Sequence, residues 1–156
     1  MRIECSDLTC RVGPGCGDCP WAAYTSAQVN LTVAVSKGKG CGAFTLERIK
    51  KGDIVREYAG AIISSKAKKK RYKSTLGKYV MTYGNRKFID ASRYGNASRF
   101  VNRSYVSNCE ADEWTVSGAF RIGVVAIKDI GRGGEITFAY GGCYTLPNCL
   151  CRKCTD

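Results

Sequence analysis

The sequence predicts a mainly β chain of small, curved sheets with few short helices, and with both ends stapled by metal-binding cysteines. Three observations carry this expectation. Short apolar runs recur between glycine turns along the middle of the chain, 18 glycines punctuate 156 residues, and seven of the ten cysteines fall close to the termini. The length suits one compact domain. A cysteine-rich segment, residues 1 to about 24, comes first, and the pattern turns to β from Leu31.

Residues 1 to 24 are rich in cysteine, glycine and aspartate, with too few apolar residues to pack alone, so a metal is expected to organise them. Cys5, Cys10, Cys16 and Cys19 at this end, and Cys149, Cys151 and Cys154 at the other, have the close spacing of tetrahedral zinc thiolate ligands. Adjacent disulfide partners need separations that such spacing does not favour. A secreted disulfide framework is the alternative, weakened by an N-terminus without the apolar core of a secretory signal.

From Leu31 the pattern turns to β. Leu31, Val33 and Val35 alternate, Ala43 to Glu47 follows a glycine turn, and Asp53 to Tyr58 follows Lys51-Gly52. Ser64 to Ser74 is the one helix of any length to be expected. Tyr79 to Thr82 and Lys87 to Asp90 flank Gly84-Asn85, and Trp114 to Val116 and Phe120 to Ala126 flank Ser117-Gly118, both hairpin signals. Gly131, Gly133 and Gly134 separate the last strands.

The net charge of +12 is unevenly spread. Tyr58 to Ile89 contains no acidic residue, yet holds Lys66, Lys68, Lys69, Lys70, Arg71 and Lys73 in one short run. A solvated face is the bland reading, but so one-sided a stretch repels itself and points to an anionic partner, nucleic acid above all, bound through its phosphates. No stretch approaches the roughly 18 apolar residues of a membrane span. The chain has no histidine, which excludes mechanisms that use imidazole as base.

Gly38-Lys39-Gly40-Cys41-Gly42 lies between two strands and is neither a P-loop nor a dinucleotide fingerprint. By itself it reads as a tight turn or as a loop facing a ligand. Further on stand two blocks, Arg99-Phe100-Val101-Asn102-Arg103-Ser104-Tyr105 and Glu135-Ile136-Thr137-Phe138-Ala139-Tyr140. They resemble the signatures Arg-Phe-x-Asn-His-Ser-Cys and Glu-Leu-Thr-Phe-Asp-Tyr of the SET-domain protein lysine methyltransferases. Glu57-Tyr58-Ala59-Gly60, Tyr79-Val80-Met81-Thr82, Phe88-Ile89-Asp90-Ala91 and Trp114-Thr115-Val116 match other motifs of that family in the same order. The N-terminal cysteines are similar to half of an AWS zinc module, and the tail to a shortened post-SET segment.

The resemblance implies a β-clip-like fold in which the C-terminal segment passes through a loop of the first block, a pseudoknot. It implies S-adenosylmethionine as cofactor, met by Lys39, Gly40, Cys41 and Gly42 and by Tyr79, Arg99, Phe100, Asn102, Arg103 and Tyr140, and structural zinc at the cysteines. Tyr140 matches the catalytic tyrosine, Tyr58 and Tyr79 the walls of a lysine channel, and Phe138 the position that leaves room for di- or trimethylation. The implied substrate is nucleosomal histone H3, with Lys66, Lys68, Lys69, Lys70, Arg71 and Lys73 on the DNA, in the nucleus, on the chromosome. Two departures stand out. Arg103 replaces the histidine, and Tyr105 replaces a zinc-binding cysteine, leaving Cys143 or Cys109 as fourth ligand of the C-terminal site. The rival readings are a catalytically weak module that binds chromatin or nucleic acid, and a methyltransferase of a non-histone basic protein.

Overall fold

The computed structural model describes residues 1–5, 10–12, 16–26, 28–73 and 77–139. Among these, strands dominate and form three small sheets. The largest runs β4 (Ile54–Glu57), β10 (Ala119–Ala126), β9 (Cys109–Val116), β11 (Thr137–Phe138), β8 (Asn102–Arg103), with β1 (Arg2–Ile3) added parallel to β9. A two-stranded sheet pairs β2 (Leu31–Ser36) with β3 (Gly40–Thr45). A third has the order β5 (Gly60–Ser64), β7 (Lys87–Gly95), β6 (Val80–Tyr83). The mainly β architecture of small sheets expected from the glycine turns is therefore present.

The β9–β10 hairpin turns on Ser117 and Gly118, both with positive φ (48° and 78°), the conformation of a two-residue turn whose twist matches the strands. At the second hairpin signal the loop is one residue longer. Tyr83 pairs with Lys87, so Gly84, Asn85 and Arg86 all lie in the turn, and Arg86 takes up the left-handed conformation (φ 57°).

One helix of any length was to be expected, and the structure has a second, α1 (Pro20–Ser26), which ties the cysteine-rich segment to the large sheet. Trp21 and Tyr24, one turn apart, meet edge to face and pack with Ile54, Trp114 and Val125. Glu4 caps the helix, its Oε1 accepting from the amides of Trp21 (2.8 Å) and Ala22 (3.2 Å), and Pro20 suits the first position. The alternation of Leu31, Val33 and Val35 marks the strand β2 but not a face buried along its length. Leu31 packs against the core, whereas Val33 and Val35 are 42% and 83% exposed. The buried residue at that end is Ser36, because its hydroxyl has a partner inside the protein.

The topology that positions the site lies at one end of the large sheet. β11 is sandwiched between β8 and β9 and runs parallel to both. Since β8 and β9 are consecutive in the chain, residues 104–108 must stride over β11, which arrives from much later in the sequence. Asn108 fastens the crossing. Its amide Nδ2 donates to the Glu135 carbonyl (2.8 Å) and its Oδ1 accepts from the Thr137 amide (2.8 Å). Its own N–H donates to the Thr137 carbonyl (3.2 Å), while Ser104 N–H donates to that of Phe138 (3.2 Å). This is the threaded arrangement expected for the C-terminal block, seen as far as Ala139.

Candidate functional site

A cleft of about 1080 Å³ opens where the β2–β3 turn, the edge strand β6 and the threaded strands meet. Its walls come from elements that glycines and the crossing bring together. Lys39, Gly40 and Cys41 line it from the turn, and Arg99, Phe100, Asn102 and Arg103 from the first block. Tyr79 and Met81 close another side, and Phe138 stands at the base. Most of the residues singled out in the sequence thus converge, although they are spread over a hundred positions.

Each is held by identifiable contacts. The Arg99 guanidinium lies over the rings of Tyr79 (4.4 Å) and Phe100 (5.2 Å), so a cation forms part of an otherwise aromatic wall. Tyr58 does not line the cleft. It is buried, and the Tyr79 carbonyl accepts from the Tyr58 hydroxyl (3.1 Å) and from the Ala91 amide (2.9 Å), so Tyr58 braces the backbone of a residue that does line it. Asn102 Nδ2 donates to the Cys41 carbonyl (3.1 Å), tying the first block to the glycine turn.

Gly42 also lies off the cleft surface. A Cβ there would stand 2.8 Å from Glu135 Oε1 and 3.1 Å from Asn102 Nδ2, so packing inside the protein demands glycine. Lys39 lines the cleft, but its ammonium is 3.7 Å from Glu135 Oε2. Glu135, Ser36 and Asn108 are contributors that sequence reasoning gave no role. Only Glu135 sits inside a recognised block, and only the fold reveals where it reaches.

The two departures from the family signature contact one another. The Arg103 guanidinium stacks on the Tyr105 ring at 4.7 Å, and Tyr105 is half exposed. Cys109, one alternative for the fourth zinc ligand, is fully buried among Ala43, Val55 and Ile136, where burial pushes its thiol up to about 12. Its place in the apolar core rules it out as a ligand. Tyr140, Cys143, Cys149, Cys151 and Cys154 lie outside the described residues.

At the N-terminus the sulfurs of Cys5, Cys10 and Cys16 lie within 4.8 Å of one another. Sulfurs around tetrahedral zinc stand about 3.8 Å apart, so this donor set fits such an ion with small adjustment. Cys19 is beside them, its thiol donating to the Cys5 carbonyl at 3.3 Å. The Cys5 thiol is pushed up to about 12, first by its hydrogen bond with Cys10, then by burial and by repulsion from Cys10 and Cys16. Cys19 is pushed up to about 11, first by burial, then by a hydrogen bond and repulsion from Cys16. Thiols crowded in this way hold their protons until a cation replaces them.

The expected basic helix is α2 (Ser65–Tyr72), capped by the Ser64 hydroxyl, which accepts from Ala67 N–H (3.2 Å). None of its residues is buried. Its basic side chains divide into two groups. Arg71 donates to buried Asp90 (2.8 Å), and Lys68 lies over the Phe88 ring (4.2 Å) at the edge of the cleft. Lys66, Lys69, Lys70 and Lys73 are exposed, with no carboxylate partner among the described residues.

Comparison with known proteins agrees with this geometry. The sequence profile of the SET domain matches residues 40–141. Histone-lysine N-methyltransferase NSD3 of Mus musculus is 35% identical over 99% of this chain, which spans 11% of that protein. Histone-lysine N-methyltransferase, H3 lysine-36 specific, of Cryptococcus neoformans is 30% identical over 96% of this chain, which spans 20% of it. A solved structure described as ctPRC2 in an autoinhibited conformation bound to S-adenosylmethionine superposes with a TM-score of 0.77 at 28% identity, covering 94% of this chain and 21% of that one. The two signature blocks, the threading of β11 between β8 and β9 and the match across residues 40–141 lead to one conclusion: this chain belongs to the SET domain family.

Proposed function

We propose that this chain is an S-adenosylmethionine-dependent protein-lysine N-methyltransferase that acts on histone in nucleosomes. The observation that carries the reading is the cleft, in which the glycine turn, Asn102, Tyr79 and Phe138 converge. The names of the similar histone-lysine methyltransferases and of the S-adenosylmethionine-bound structure support it.

When bound, S-adenosylmethionine supplies an activated methyl on its sulfonium. The protein's task is then to hold a neutral lysine amine in line with that methyl and to keep water away. Tyr79, Met81 and Phe138 give an apolar, aromatic lining that disfavours the ammonium and lowers the amine's pKa. Among the described residues β6 is at the edge of its sheet beside this lining, where an extended peptide can add as a further strand. Gly40, Cys41, Asn102, Arg99, Phe100 and Arg103 border the part of the cleft assigned to the cofactor, and Tyr140 is the proposed catalytic tyrosine. Phe138 carries no hydroxyl to hold a water near the amine, which suits addition of a second and third methyl. In this division residues 1–24 hold a structural zinc through Cys5, Cys10, Cys16 and Cys19, residues 25–141 carry the chemistry, and residues 142–156 are a cysteine-rich tail.

Histone H3 is the proposed substrate and the nucleus the proposed location. Lys66, Lys69, Lys70 and Lys73 are the proposed DNA contacts, with Arg71 and Lys68 mainly fastening the helix that presents them. The test is transfer of labelled methyl from S-adenosylmethionine to nucleosomes and to free histone over a range of salt. A preference for nucleosomes that declines steeply with salt is expected, and replacing Lys66, Lys69 and Lys70 by glutamine should lower the logarithmic salt slope by about one per lysine. Equal transfer to both substrates at every salt concentration would remove the DNA contact from the proposal. Metal analysis should find zinc in the purified protein, and a strong chelator should lower the melting temperature. Melting that is indifferent to chelation would contradict the zinc assignment.

A further inference from the structure

One carboxylate joins three stretches of chain that lie far apart in sequence. Glu135 Oε1 accepts from the Ser36 hydroxyl (2.7 Å), at the end of β2, and from Asn102 Nδ2 (2.8 Å), on β8. Its other oxygen faces Lys39. Asn102 divides its amide between this carboxylate and the Cys41 carbonyl, so both donor directions are engaged. The backbone reinforces the junction. Ile136 N–H donates to the Ala43 carbonyl (2.8 Å), Thr45 N–H to that of Gly134 (3.0 Å), and Glu135 bridges to Phe44. The space that a side chain at position 42 would occupy is filled by Glu135 itself.

We infer that Glu135 is a positioning residue for the cofactor end of the cleft: through Ser36 and Asn102 it sets the spacing between the glycine turn and the first signature block. The inference rests on the reading of the cleft as an S-adenosylmethionine site. Glu135 is not among the residues lining the cleft, so it acts through others. Its distinctive effect is on cofactor affinity. Tyr79, on the side that the amine enters, is held separately, by the Tyr58 hydroxyl and the Ala91 amide. Loss of two charge-assisted bonds in a half-buried junction lets the turn and β8 drift apart, and a ligand that bridges them then binds a state that is populated only part of the time.

The experiment is calorimetric titration of S-adenosylmethionine into the wild-type protein and the variants Glu135→Ala, Glu135→Gln and Ser36→Ala, with KM and kcat for transfer to free histone measured alongside. Glu135→Ala should weaken cofactor binding about tenfold or more and raise KM for the cofactor in parallel, while kcat at saturating cofactor falls less than about threefold. Glu135→Gln retains an amide oxygen for Ser36 and Asn102 and should stay within about threefold of wild type, and Ser36→Ala should fall between the two. Wild-type affinity in Glu135→Ala, or equal losses in Glu135→Gln and Glu135→Ala, would overturn the inference alone. If Glu135→Ala does not fold, Ser36→Ala decides, and unchanged affinity there overturns it. A wild-type protein that binds no S-adenosylmethionine overturns the cofactor reading and this inference with it.

Discussion

Replacing Phe138 with alanine should cost about 3–5 kcal/mol of stability, which in a chain of this size lowers the melting temperature by roughly 6–20 °C. The side chain is 2% exposed and is packed in the main core with Val55, Val101, Cys109 and Ile136. It also belongs to β11, the strand held between β8 and β9, so the cavity would open where residues 104–108 cross over the later chain. Relaxation into that cavity is hindered, because Ser104 and Asn108 hold the backbone of β11 by hydrogen bonds. The same change removes the base of the cleft, so affinity for a lysine peptide should fall together with stability. Thermal and denaturant melts of Phe138→Ala beside Phe138→Leu check this. A loss under about 1 kcal/mol in the alanine variant would mean that Phe138 is not the core element described here.

Asp90→Ala is expected to cost about 3–5 kcal/mol at neutral pH, since it leaves a buried network without its acceptor. Asp90 is 2% exposed and accepts from Arg71 (2.8 Å), the Tyr72 hydroxyl (2.8 Å) and the Ser92 hydroxyl (2.6 Å). Burial would raise its pKa, but the bonds from Ser92, Tyr72 and Arg71 outweigh burial and hold the carboxyl at about 2, below the ordinary 3.8. The unfolded chain therefore binds this proton more tightly than the folded one, and protonation favours unfolding. The carboxylate's contribution, about 2 kcal/mol, is complete above roughly pH 4 and is lost as pH falls through about 2. Denaturant melts across that window should show the difference between wild type and Asp90→Asn narrowing as the pH falls. A difference that is constant down to pH 2 would contradict the assigned shift. Because Arg71 and Tyr72 are among the few groups fastening α2, the neutral-pH variant should also lose nucleosome binding before it loses binding to free histone.

The parts of the fold that were legible in the sequence depend on local chemistry. Ser117-Gly118 announces its hairpin because few residues accept two consecutive positive φ values, and Ser64 announces α2 because its hydroxyl caps it. The two signature blocks were legible as text, and they do meet at one cleft. The remainder depends on distant partners. Helix α1 is short and offers only Trp21 and Tyr24 as apolar residues to the sheet, and its N-terminus is capped by Glu4, seventeen positions before Trp21. The exposure of Val33 and Val35 could not be read from their alternation, since period two marks a strand and not which face is covered. Glu135 was visible as a letter of the second block, yet its role follows from Ser36, 99 positions away, and Asn102, 33 positions away. The bond from the Tyr58 hydroxyl to the Tyr79 carbonyl likewise joins positions 21 residues apart.

The measurement that tests the central claim most directly is mass spectrometry of nucleosomal histones after incubation with this protein and isotope-labelled S-adenosylmethionine, beside a Tyr140→Phe variant. Labelled methyl groups are expected on a histone lysine with the wild-type protein, and their loss in the variant. Unlabelled histones after incubation with folded, zinc-loaded wild-type protein would contradict it.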